Sequence, residues 1–247
     1  MKDPREAPGF DFVGDVHGML ASYRAHEAQR GYERGGQGRR PPEGRVRVSL
    51  GDLVARGPDP LGCLELTEEL IRAGCGLAVL GNHEINLVHC LQGRRNRPHE
   101  LKQVETSIAQ IEADAARWQR CLAFIESLPC SLNLDDGRLL VAHAAWRDDH
   151  VAALPARIDS DELWEATARE GRLIKPVEYV LKGPEKKVAP FLDGQGHRRT
   201  RGRVSWWEEH PAEGPTVVFG HYSLRYEAHD TDRPLPLGPG GKAICTA

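Results

Sequence analysis

The sequence predicts an α/β protein, and three observations carry that expectation. Three short apolar runs each end in glycine and are followed at once by a polar cluster. Amphipathic helical stretches separate these runs, as in a β-α-β-α-β unit. Further along, Asp135-Asp136-Gly137 lies between two apolar runs, a signal for a β-hairpin.

The elements follow in order. Phe10 to Val13 is mostly apolar and reads as a buried strand stopped at Gly14. A helix pattern runs from Met19 to Arg30, and Gly31 to Gly44, rich in Gly, Arg and Pro, reads as an exposed loop. Arg45 to Leu50 alternates, with Val46, Val48 and Leu50 on one face, before Gly51. A helix over Pro60 to Ala73 leads to a third apolar run, Leu77 to Leu80, ended by Gly81. Leu101 to Leu128 reads as one long helix, with Ile108, Ile111, Trp118, Leu122 and Ile125 on a recurring face, closed by Pro129. Ser131 to Leu134 and Arg138 to Ala142 form the expected hairpin. Ala144 to Pro215 is poorly patterned, with helical character near Asp161 to Arg169. It is expected to be an irregular excursion, at about 144–215, over the active-site face of a single domain spanning 1–247. Thr216 to Phe219 is a strand before Gly220-His221, and Ala243 to Thr246 a final one.

Composition bounds the function. A hydrophobic fraction of 40% and a charged fraction of 28% suit a globular chain rather than a disordered one. A net charge of -3 gives no strong nucleic-acid signal, and no run of about 18 apolar residues could span a membrane. The charged, proline-bearing start, Met1 to Gly9, does not read as a secretory signal. The six cysteines form no CxxC pair and read as reduced buried thiols, so the expected location is cytoplasmic.

The polar clusters carry the chemistry. They are Gly14-Asp15-Val16-His17-Gly18, then Gly51-Asp52-Leu53-Val54-Ala55-Arg56-Gly57, then Gly81-Asn82-His83-Glu84, then Ala142-His143-Ala144, and last Gly220-His221. Four specified residues recur by chance at about one position in 10⁵, so three such strings in order exclude coincidence. Two divalent cations about 3.5–4 Å apart need a bridging carboxylate with nitrogen and oxygen ligands on each side. If strand geometry persists through the first turn, Asp15 and His17 project to the same side and can share one cation. Asp52 can bridge to a second, completed by Asn82, His143 and His221.

These motifs resemble the phosphoprotein-phosphatase branch of the calcineurin-like metallophosphoesterases, whose similar bacterial members include serine/threonine phosphatases and symmetrical diadenosine-tetraphosphate hydrolases. The resemblance covers Phe10 to His221 and implies a two-layer β sandwich flanked by helices. It implies Asp15, His17 and Asp52 on one cation, and Asp52, Asn82, His143 and His221 on the other. Mixed imidazole, carboxylate and amide ligands put manganese foremost, with iron or zinc as alternatives. Arg56 and Asn82 would bind phosphate oxygens, and His83 would protonate the leaving group. A hydroxide bridging the cations would hydrolyse a dinucleoside polyphosphate, a phosphorylated small molecule or a phosphoprotein.

The sequence departs from the protein-phosphatase pattern at Ala55, where those enzymes have the aspartate that orients the GNHE histidine. A phosphate leaving group needs less protonation than an alkoxide, so Ala55 leans toward anhydrides. Glu84, where tetraphosphatases have aspartate, reads as a structural residue. Within His197 to Arg203, Arg203 is the residue expected to touch an anionic substrate. Trp206-Trp207 reads as core or site wall, and Lys182-Gly183-Pro184-Glu185 as a turn. The rival expectation is a catalytically impaired phosphate- or nucleotide-binding module.

Overall fold

The computed structural model describes residues 3–35, 38–40, 42, 44–94, 96, 98–155, 157, 174–192, 196, 198–222 and 238–246. β1 (Gly9–Val13) leads to helix α1 (Leu20–Gln29), then to β2 (Glu33–Gly35), β3 (Gly38–Arg40) and β4 (Arg45–Ser49). Helix α2 (Pro60–Arg72) starts on Asp59, whose side chain caps it by accepting the Gly62 N–H. It is followed by β5 (Gly76–Ala78) and helices α3 (Asn82–Leu91), α4 (Pro98–Ala113) and α5 (Ala115–Ser127). The hairpin strands β6 (Ser131–Leu134) and β7 (Leu139–Ala142) come next, then α6 (Asp148–Ala153) and α7 (Ile174–Lys182). β8 (Glu185–Leu192), β9 (Arg198–Arg203), β10 (Thr216–Phe219) and β11 (Ala243–Cys245) complete the order.

Two sheets stack to make the sandwich that the resemblance implies. The first has the order β1-β4-β5 and is parallel, with Phe10 opposite Val46 and Phe12 opposite Val48. The second has the order β11-β10-β7-β6, in which only β6 runs antiparallel to its neighbour. Between them, Val48, Leu50 and Val79 pack with Leu134, Val141 and Val218. Each such side chain contributes roughly 1.5–3 kcal/mol by leaving water. Period-2 alternation turns the intervening Asp11 and Arg47 to the outer face. There Arg47 lies beneath the rings of Tyr23 and Tyr32, 5.5 and 4.4 Å from their centroids.

Helices cover that outer face. Leu61 and Leu64 of α2, Ile85 and Leu87 of α3, Val104 of α4 and Phe124 of α5 belong to one core. On the far face of the second sheet, Trp206 and Trp207 of a short 3-10 turn pack on Val217, Phe219 and Ala243. Both tryptophans are therefore core, the first of the two readings the sequence offered.

Three segments differ from expectation. The stretch at 31–44 contains an antiparallel pair, β2 with β3, rather than a loop alone. The long helical stretch over Leu101 to Leu128 divides into two helices at Asp114, whose carboxylate caps α5 by accepting the Arg117 N–H at 2.8 Å. The apolar stripe runs through the break and hid it. Within 144–215, the described residues form α6, α7 and a β8–β9 hairpin rather than an irregular excursion. The helix expected near Asp161 to Arg169 lies outside the described residues. Among the described residues no helix is long and apolar enough to cross a membrane, and all six cysteines are buried.

Candidate metal centre

The loops after β1 and β4 are bonded to each other along their backbones. Val16 and His17 N–H groups both donate to Asp52 O, at 3.1 and 2.8 Å, and Gly18 N–H donates to Leu53 O at 2.8 Å. Strand geometry does not persist through Asp15-Val16-His17, because β1 ends at Val13 and His17 has φ 47°. The turn, not a continuing strand, brings His17 inward. Asp52 and His221 also have positive φ, 54° and 64°. Such conformations cost roughly 1–3 kcal/mol each and persist only where surrounding bonds impose them.

The loop before α3 docks on the β4 loop through two glycines. A Cβ on Gly51, whose φ is 88°, would sit 2.5 Å from Gly81 N, so any side chain would force the loops apart. Glu84, fully buried in the first turn of α3, locks the contact. Its carboxylate accepts N–H groups from Asp52 (3.0 Å), Leu53 (2.7 Å), Val54 (3.2 Å) and Gly81 (3.0 Å). Burial and the neighbouring Asp52 push its pKa up to about 7, against the pull of those amide donors.

Around this scaffold the donor atoms fall into two groups that share Asp52. In one, the ligating atoms of His17, Asp52 and His83 lie within 4.8 Å of one another; in the other, those of Asp52, His143 and His221 do. Asp52 Oδ2 faces His17 Nε2 at 3.9 Å and His83 Nε2 at 3.8 Å, while Oδ1 is 3.3 Å from His143 Nε2. Asn82 Oδ1 is 3.1 Å from His143 Nε2, and His221 Nδ1 is 3.3 Å from the same nitrogen. Asp15 Oδ2 lies 3.8 Å from His17 Nε2, while its Oδ1 accepts the His221 N–H at 2.9 Å. The seven residues Asp15, His17, Asp52, Asn82, His83, His143 and His221 thus converge on one point.

The chemistry of these donors fits cations. His143 Nδ1 lies 2.5 Å from Leu50 O and His17 Nδ1 lies 3.3 Å from Val54 O; a carbonyl can only accept, so both nitrogens carry the proton. That leaves the His17 Nε2 lone pair directed at other acceptors, the arrangement that metal-ligating histidines adopt, whereas His143 Nε2 carries a proton toward Asp52 that a cation would displace. His143 Nε2 meets a carboxylate oxygen, an amide oxygen and an imidazole nitrogen with too few protons to reconcile them. A positive ion resolves that crowding.

Titration follows from the same geometry. Burial acts to raise the Asp52 pKa, but His143, His83 and His17 hold it well below the usual carboxylate range. Burial also acts to lower the His143 pKa, but Asp52 lifts it to about 9. Burial lowers the pKa of His17 despite Asp52 beside it, and lowers that of His83 to about 4. Burial, helped by His143 and Arg203, takes His221 to about 2. Three of the four imidazoles are neutral at pH 7, the form that ligates metal.

His83 also bears on the Ala55 departure. Its Nδ1 is buried and has no hydrogen-bond partner, whereas its backbone N–H donates to Asp52 Oδ1 at 2.9 Å. Ala55 is fully buried with φ 72° and supplies no side-chain acceptor. Arg56 is exposed at φ 61°, and its charge contributes to the low pKa values of His17 and His83.

From Asn82 and His221 a cleft of about 1300 Å³ opens beneath α7 and the β8–β9 hairpin. Arg203 lines it and donates from Nη1 to His221 O at 3.2 Å. The turn Lys182-Gly183-Pro184-Glu185 lines it too. Arg147, His150 and Tyr179 also line the cleft, and sequence reasoning singled out none of them for the site. They come from elements with no motif, and only the cation-rich character of 144–215 hinted at a substrate surface.

Stacked sheets that send carboxylate, amide and imidazole donors from five loops to one point define a metal-dependent hydrolase. The chain belongs to the calcineurin-like phosphoesterase family, whose model matches residues 9–238. It is 31% identical over 222 residues to the bis(5'-nucleosyl)-tetraphosphatase PrpE [asymmetrical] of Anoxybacillus flavithermus, covering 87% of this chain and 79% of that protein. A protein of the same name from a Geobacillus species is 29% identical over 160 residues, covering 62% of this chain and 64% of that one. The match thus spans just under two thirds of the Geobacillus protein. The fold also matches the crystal structure of a cold-active protein-tyrosine phosphatase of a Shewanella species, with TM-score 0.55, 14% identity, and 100% and 75% of the two chains covered.

Proposed function

We propose that this chain hydrolyses dinucleoside polyphosphates, such as diadenosine tetraphosphate, at a centre of two divalent cations, manganese foremost with iron or zinc as alternatives. The observation that carries the reading is the cation-rich cleft running from Asn82 and His221. Its volume, about 1300 Å³, exceeds the roughly 300–1,000 Å³ of ordinary small-molecule pockets, and it is lined by arginines and lysines. The names of the bacterial relatives support the same substrate class, although they specify asymmetrical rather than symmetrical cleavage.

Asp15, His17 and Asp52 would hold one cation, and Asp52, Asn82, His143 and His221 the other; bound there, such ions would supply an acidified water and offset for phosphate charge. Arg56 offers a planar fork to two phosphate oxygens, and Arg203 meets the chain of phosphates in the cleft. His83 hands a proton to the departing oxygen. With Nδ1 unpartnered and a pKa of about 4, it is a poor acid at pH 7, which a phosphate leaving group tolerates better than an alkoxide does. The six buried thiols suit a reducing, cytoplasmic setting.

The test is a manganese-supplemented panel of diadenosine tetraphosphate, an aryl phosphate and a phosphoserine peptide, with metal content measured in parallel. The tetraphosphate should show the highest kcat/KM. Faster turnover of the phosphoserine peptide would overturn the reading.

A further inference from the structure

Three side chains outside the metal centre meet on one wall of the cleft. Tyr179 of α7 is half-buried and packs against the core cluster that contains Trp206 and Trp207. The ring of His150, from α6, lies 4.7 Å from that of Tyr179 at an interplanar angle of 30°. The Arg147 guanidinium lies 5.2 Å from the same ring and is held by Asp149 through two hydrogen bonds, at 2.5 and 2.7 Å. Both α6 and α7 are thereby tied to one small aromatic and cationic surface. All three residues line the same cleft as Asn82 and His221.

We propose that the adjoining rings of His150 and Tyr179, with Arg147 beside them, form the platform for a nucleobase of the substrate, and that this pair makes the enzyme select nucleoside polyphosphates over bare polyphosphates. The inference rests on the phosphoanhydride reading above and adds the group that reads the nucleoside. A π-face beside a guanidinium attracts a flat heterocycle whatever its sequence identity, since every base presents a ring to stack. An acidic peptide would meet the arginines but has no use for the ring. The cations Arg199, Arg201 and Arg203 line the same cleft as the platform and the metal centre, so a linear polyanion could reach both. His150 stays neutral at pH 7, its pKa lowered first by burial and then by Arg147, and so stacks without a charge of its own.

Steady-state kinetics with manganese on diadenosine tetraphosphate and inorganic tetraphosphate test the platform directly. The unmodified protein should show a KM for the nucleotide at least about tenfold below that for inorganic tetraphosphate. Tyr179→Ala should erase that preference while Tyr179→Phe keeps it, with thermal melting confirming that both variants fold. Retention of the preference in Tyr179→Ala, or its absence from the unmodified protein that cleaves both compounds, would overturn the platform and leave the metal centre untouched. No cleavage of either compound by the unmodified protein would overturn the anhydride reading itself.

Discussion

Asp52 offers one oxygen to each of the two donor groups, a geometry that no other side chain at the site shares. Asp52→Asn keeps the shape but turns one oxygen into a donor, so it should cut cation stoichiometry from two to one or fewer. Activity should fall about 10³-fold or more, as with loss of a principal electrostatic element; metal analysis alongside kcat checks both. For His83 the test is the leaving group. His83→Asn should slow hydrolysis of phenyl phosphate by about 10²-fold while slowing the activated nitrophenyl ester much less, because only the poorer leaving group needs the proton. Equal losses on the two esters would place His83 among the ligands instead, a role its position beside His17 and Asp52 also permits.

At the scale of elements, the first β-α-β-α-β unit was legible because its signals are local. An apolar run, a glycine and a polar residue lie within six positions of one another, and that brings Asp15, Asp52 and Asn82 into view together. What was not legible depends on partners distant in the chain. The inward turn of His17 is imposed by Asp52 O, and the α4–α5 break is a single capped aspartate inside an unbroken apolar stripe. The β8–β9 hairpin is almost wholly exposed and carries charged residues on both faces, so it leaves no period-2 pattern to find. The strands of the first sheet also hold a testable ion pair. Asp11 of β1, nearly buried, accepts from Arg45 of β4 at 2.5 and 2.9 Å and from Tyr32 at 3.0 Å. Burial acts to raise the Asp11 pKa, but Arg45 and Tyr32 bring it below its usual value. A lowered folded pKa means stability that is present above the unfolded value, near 4, and lost as pH falls through the folded one. Since Arg45 is partly exposed, Asp11→Asn should cost only about 1–2 kcal/mol at pH 7, with the gap closing toward pH 2 in urea titrations.

For the whole molecule, the candidate site draws donor side chains from both layers. Asp15, His17, Asp52 and Asn82 follow strands of the first sheet, and His143 and His221 follow β7 and β10 of the second. A cation that binds only the folded chain at 100 times its Kd stabilises it by about 2.7 kcal/mol, so manganese should raise Tm and a chelator should reverse the rise. An unchanged Tm across a manganese titration would count against a preformed centre.

The hydrogen bond from His221 N–H to the Asp15 carboxylate joins residues 206 positions apart, one on each side of the sandwich seam. Sliding one layer past the other by a single residue, about 3.3 Å, would pull that bond open and part His143 from Asp52 together. Turnover is therefore a gauge of interlayer alignment: heating or pressure that loosens the packing of Val48 against Val141 and Val218 should extinguish hydrolysis before helical circular dichroism changes at all.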